Sequence, residues 1–205
     1  AAPSVAGTIQ PDMDEDTDRI CEMYAADQLL TVIIQTEKTT LAQAEETQTS
    51  KKAAYEDDMQ YIDTDPVTKV VTYDITDPEN PKQKDTAVQD GWYRTSRKTG
   101  GRLYLFTEQS LGIADDISRK EAVSDDNIRQ WIPGVNESVV QPDCIYMQKR
   151  GNQGLLMASL DLEDHSRVLD VKLLVNEYVD LYVSSTSVYL YDAVYVNDAV
   201  RTRIA

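Results

Sequence analysis

The chain is expected to be an α+β protein: a long acidic N-terminal helical region, then an antiparallel β-rich domain ending in an extended C-terminal β-hairpin. Three observations carry this. Apolar residues recur near helical spacing through residues 17–62, with no proline between Pro11 and Pro66. Alternating apolar and polar residues fill the last part of the chain, as half-buried strands require. The charge balance also changes near Pro66: residues 1–66 hold 15 Asp/Glu against 4 Lys/Arg, and residues 67–205 hold 21 against 16. The expected division is an extended arm (1–16), an acidic helical region (17–65) and a β-rich domain with short helices and the terminal hairpin (66–205).

The arm is polar and carries Pro3 and Pro11. It has neither the basic start nor the apolar middle of a secretory leader, so a cleaved signal and a removed initiator Met are equally open. The helical region is read from Ile20, Tyr24, Leu30, Ile34, Leu41, Ala44, Tyr55, Met59 and Ile62, with acidic residues at its start, where carboxylates suit a helix dipole. Its narrow apolar stripe suits coiled-coil packing along another helix. Residues 67–76 and Arg102–Thr107 read as strands, the second entered from the Gly100-Gly101 turn. Ala114–Ala122 and Asp125–Trp131 read as short helices with Ser118 and Ser124 as caps, the second stopped by Pro133-Gly134.

Cys144–Lys149 and Leu155–Leu162 flank a glycine-bearing loop and read as a hairpin. Leu169 to Val183 alternates with one polar exception, and Val188 to Val196 alternates again after Ser184-Ser185-Thr186-Ser187. Placing Val183 opposite Val188 sets Leu181 opposite Leu190, Tyr182 opposite Tyr189 and Asp180 opposite Tyr191, and would run on to Val175 opposite Val196. A strand of 15 residues is longer than this chain needs, so the ribbon is expected to project or to pair with another subunit.

Composition excludes several classes. A net charge of −16 argues against coating nucleic acid, and no run approaches the roughly 18 apolar residues of a membrane-spanning helix. One histidine and two cysteines, Cys21 and Cys144, give no zinc, iron–sulfur or disulfide framework.

Candidate chemistry is thin. Glu177 and Asp192 interrupt the apolar face of the hairpin and would lie diagonal to one another, as an acid and base could in a carboxylate-dependent glycoside hydrolase. The competing reading is a basic partner, or the point where the ribbon enters water. His165 follows Glu163-Asp164 in a turn and reads as a solvent-facing loop residue. Asp12, Asp14, Asp16 and Asp18 imitate a calcium loop, but Thr17 and Met23 stand where its glycine and closing glutamate belong. Arg94, Arg97, Lys98 and Arg102 beside Trp92 and Tyr93 form a basic patch, better suited to docking on the acidic first third of another copy than to nucleic acid. Asn136-Glu137-Ser138 matches a glycosylation acceptor, for which chance is the simpler account.

Twelve tyrosines against one phenylalanine favour partly wet contact surfaces, and five of them lie between 178 and 195. These features lead to a non-enzymatic structural subunit of a symmetric assembly, either a virion component (tailed-phage neck, tail or capsid) or an extracellular filament. No catalytic, cofactor or metal residue is assigned. The expected partners are other copies and neighbouring assembly proteins, with no membrane and no specific nucleic acid. The alternative is a secreted carbohydrate- or protein-binding module.

Overall fold

The computed structural model describes residues 4–14, 16–39, 64–112, 128–147, 151–176, 179–184, 186–196 and 199–204, and these are almost entirely β. The first sheet holds β1 (Arg19–Ala26), β2 (Leu29–Thr39), β3 (Thr64–Asp74) and β4 (Lys82–Asp90) as an antiparallel meander. The second repeats that order with β5 (Trp92–Thr99), β6 (Arg102–Ser110), β10 (Gln153–Asp161) and β11 (Arg167–Asn176). The third holds β12 (Asp180–Val183), β13 (Val188–Val196) and β14 (Ala199–Ile204).

The helical region expected over 17–65 is therefore corrected: residues 19–26 and 29–39 are strands, and with them goes the coiled-coil reading. The physical reason lies in the spacings. Ile20 to Tyr24 and Leu30 to Ile34 are each four apart, which returns to one face of a helix and equally to one face of a strand. The run Val32-Ile33-Ile34 decides between them, because all three side chains are buried, on opposite faces of β2. Ile33 joins Val70 and Ala87 against the second sheet, while Val32 and Ile34 pack with Val71 and Tyr73 on the other side. A strand covered on both faces loses its alternation and reads as a continuous apolar run.

The arm does the covering on that outer side. Ile9 and Met13 pack on the cluster of Val32, Ile34, Val71 and Tyr73, so these two side chains anchor the arm on the chain's own first sheet. The aspartates beyond it close a turn into β1: Asp16 N–H donates to Asp14 Oδ1 (2.9 Å) and Asp14 N–H to Asp18 Oδ2 (3.1 Å). They do not lie on a helix terminus.

Two further readings are corrected. Among the described residues, 144–147 and 155–162 do not pair with each other. Instead β9 (Ile145–Met147) runs parallel to β11, with Ile145 opposite Leu173, and β10 lies between β6 and β11. The 15-residue strand ending at Val183 is also two strands: β11 ends at Asn176 in the second sheet and β12 begins at Asp180 in the third. The register read from the sequence holds over Asp180–Val183, with Val183 opposite Val188 and Tyr182 opposite Tyr189. Beyond that it fails, since Val175 pairs with Gly154 and Val196 with Ala199. The expected helix Ala114–Ala122 lies outside the described residues, and of Asp125–Trp131 one helical turn is described, α1 (Ile128–Trp131).

The segment after α1 links the first two sheets along one edge. It gives β7 (Gly134–Val135) and β8 (Ser138–Val139) to the first sheet beside β4, then β9 to the second. Asn136 and Glu137 both adopt left-handed φ (48° and 68°), forming the two-residue turn whose twist matches paired strands. Asn136 Oδ1 accepts from Val88 N–H (2.8 Å), and Asp90 Oδ2 accepts from Gly134 N–H (2.8 Å). A Cβ on Gly134 would overlap the Ser138 carbonyl oxygen, so this tight hairpin requires glycine there.

The sheets stack face to face. The main core joins Ile33, Val70 and Ala87 of the first sheet to Leu103, Leu105, Leu156 and Leu173 of the second. A second contact layer, Phe106, Leu155 and Leu174 with Val179, Leu181 and Leu190, joins the second sheet to the third.

Candidate functional site

Alternation along β5 and β6 decides where the basic patch goes. Tyr93 and Ser96 turn toward the first sheet, where Tyr24 Oη donates to the Ser96 carbonyl (3.0 Å) and lies 2.9 Å from its hydroxyl. Tyr93 Oη sits 2.9 Å from the same hydroxyl, and burial pushes this phenol from 10.0 up to about 12, against the opposing pull of the Ser96 hydrogen bond. Lys98 reaches Asp27 (4.0 Å) on the first sheet. Arg94 faces the other way and bridges Glu108 (3.1 Å) and Asp180 (3.3 Å), tying the second sheet to the third. Arg97 lies opposite Tyr104, and Arg102 opposite Thr99; both are exposed. Arg94, Arg97 and Arg102 thus share one face of the second sheet, and Lys98 takes the other.

The third sheet covers only part of the second. Its turn between Val183 and Val188 stands over Arg97 and Tyr104, leaving an open cleft of about 180 Å³. On the far side of the third sheet two tyrosines lie in register, Tyr182 (62% exposed) and Tyr189 (44% exposed), with ring centroids 6.2 Å apart. This is the most exposed aromatic pair among the described residues.

The other sequence candidates do not converge on a reaction centre. Glu177 lies outside the described residues, while Asp192 pairs with Arg203 along β13–β14, so the register that set the two carboxylates diagonal does not extend to them. His165 is exposed, with φ of 50°, in the turn between β10 and β11. Asn136 is exposed, though its carboxamide oxygen is engaged by Val88. Cys21 and Cys144 are free thiols; burial, with Asp143 beside it, pushes the Cys144 thiol up and away from reactive thiolate. No group of three His, Cys, Asp or Glu side chains suited to a metal occurs among the described residues.

What the sequence reading missed is an internal repeat. Asp74-Ile75-Thr76-Asp77 recurs as Asp161-Leu162-Glu163-Asp164, each after the third strand of its sheet. Asp74 Oδ1 accepts from Thr76 N–H (2.9 Å), as Asp161 Oδ1 accepts from Glu163 N–H (3.2 Å). Leu103-Tyr104-Leu105-Phe106 likewise recurs as Val188-Tyr189-Leu190-Tyr191, on the second strand of the second and third sheets.

Repeated antiparallel meanders, stacked face to face with each first strand following the last strand of the preceding sheet, are propeller blades. The chain belongs to the beta propeller domain family, whose model matches residues 2–203. No curated protein and no solved structure matches it.

Proposed function

We propose that the protein is a non-enzymatic scaffold that joins an assembly through the outer face of its third sheet, where the first partner is another copy of the same chain. The observation that carries this is the repeat. On the second sheet, Tyr104 and Phe106 occupy the face against which the third sheet packs, and Phe106 is 2% exposed there. Their counterparts on the third sheet, Tyr189 and Tyr191, share a face with Tyr182, and Tyr182 and Tyr189 stand exposed. The outer face is thus built on the pattern of a face that already receives a sheet. Tyrosine in place of phenylalanine lets it meet water until a partner arrives. An acidic chain of net −16 stays soluble while carrying such a surface.

The test is the mass of the purified chain by light scattering across a concentration series. Concentration-dependent association, reduced in a Tyr182→Ser/Tyr189→Ser double variant, is the expected result. A monomer at every concentration, with the variant indistinguishable from it, removes self-association. The alternative, a module binding a carbohydrate or a different protein, uses these tyrosines without self-association.

A further inference from the structure

We propose that the cleft between the second and third sheets binds a single anionic sugar unit, a uronate or a sulfated monosaccharide. This does not depend on whether the tyrosine face receives a partner, because the cleft lies on the opposite side of the third sheet. Its volume is about 180 Å³, and it opens to solvent. That is room for one ring and its substituents.

The charge in the cleft is unusual for this molecule. Acidic residues outnumber basic ones 36 to 20, and two neighbouring cations are already engaged: Arg94 by Glu108 and Asp180, Lys98 by Asp27. Arg97 has no ion-pair partner among the described residues, although it stands at the cleft wall. A planar guanidinium offers paired donors that match a carboxylate or sulfate. Against the field of the whole chain, an anion finds a favourable place where such a group is left uncompensated.

The remaining walls fit a polyhydroxylated ring. Tyr104, Val183 and Val188 supply apolar surface for its C–H groups. The hydroxyls of Thr99, Thr186 and Ser187, which also line the cleft, have no partner among the described residues and can exchange hydrogen bonds with sugar hydroxyls. The turn is held in shape beforehand. Ser184 Oγ accepts from Thr186 N–H (3.3 Å) and Ser187 N–H (2.9 Å) and donates to the Ser187 carbonyl (3.0 Å). Its hydroxyl is therefore committed to the turn, which lowers the ordering cost of binding.

The experiment is a titration of the isotopically labelled chain with sodium glucuronate, glucose and sodium sulfate, read from backbone amide shifts. Glucuronate is expected to move the Arg97, Tyr104, Ser184, Thr186 and Ser187 resonances saturably, more tightly than either glucose or sulfate alone, and less tightly as sodium chloride rises. Arg97→Gln should weaken glucuronate about tenfold while leaving resonances far from the cleft in place. Because Arg97 is exposed, the variant keeps its fold, and the unchanged resonances verify it. No saturable response to glucuronate overturns the proposal, as does an Arg97→Gln variant that binds equally well. Glucose binding as tightly as glucuronate would overturn the anionic part, and sulfate alone matching glucuronate would overturn the sugar part.

Discussion

Tyr93 offers a quantitative test of how the first two sheets are joined. Its hydroxyl shares Ser96 Oγ with Tyr24, and burial raises its phenol from 10.0 to about 12. In the unfolded chain the phenol titrates near 10, so above that pH the unfolded state gives up a proton that the folded state keeps. The contribution is complete below pH 10, is lost between pH 10 and about 12, and does not change further beyond. At about 1.4 kcal/mol per unit, the loss comes to about 1.4 kcal/mol by pH 11 and about 2.7 kcal/mol above both values. Tyr93→Phe keeps the ring and removes the proton, at a neutral-pH cost of about 1 kcal/mol for the lost hydrogen bond. Urea unfolding of both proteins from pH 8 to pH 11 should therefore show two curves converging and crossing close to pH 11, because the titrations of the remaining groups largely cancel in the difference. Parallel curves would refute burial of this phenol as the cause, and with it the described packing of β5 on the first sheet.

Two other outcomes follow from local geometry. Glu137 holds φ of 68° in the turn that pairs β7 with β8, so Glu137→Gly should raise stability by about 0.5–1 kcal/mol in the same unfolding assay, whereas loss of stability would mean that the turn is not left-handed. In a Cys21→Ser variant, alkylation of Cys144 should follow a thiolate titration centred above the ordinary 9.0, and a midpoint at or below that value would contradict its desolvation.

The sequence showed the β character of the last part of the chain, where like faces meet across Asp180–Tyr191 and one register satisfies both strands. It concealed β1 and β2 for two reasons. Their apolar residues fall at spacings common to helix and strand, and their connecting turn, Asp27-Gln28, uses left-handed φ of 53° and 64° without glycine. β4 and β5 were hidden by polarity. Gln89 and Ser96 look like surface residues, yet both are buried, Gln89 Nε2 donating to Thr107 Oγ1 (2.9 Å) and the Leu156 carbonyl (3.2 Å) across the join. The break between Asn176 and Asp180 was marked only by Glu177, the one polar exception in an alternation whose two halves serve different sheets. Arg97 stood out as part of a basic cluster. Its cleft did not, since the opposite wall comes from a turn more than eighty residues later. The Asp-Ile-Thr-Asp and Asp-Leu-Glu-Asp repeat was legible throughout and would have pointed to a serial architecture before any helix was assigned.

The route of the chain through β7, β8 and β9 sets an order of events during synthesis. β4 is complete at Asp90, but the residues that cover the end of its free edge at Val88–Asp90, Gly134–Asn136, emerge only after β5 and β6 have been made. Until then the nascent first sheet offers an open edge, the form in which β-proteins most readily join to the wrong strand. The same short segment covers the end of that edge and, through Ile145–Met147, later meets β11 at the margin of the next sheet, so partial protection of one blade precedes completion of its neighbour.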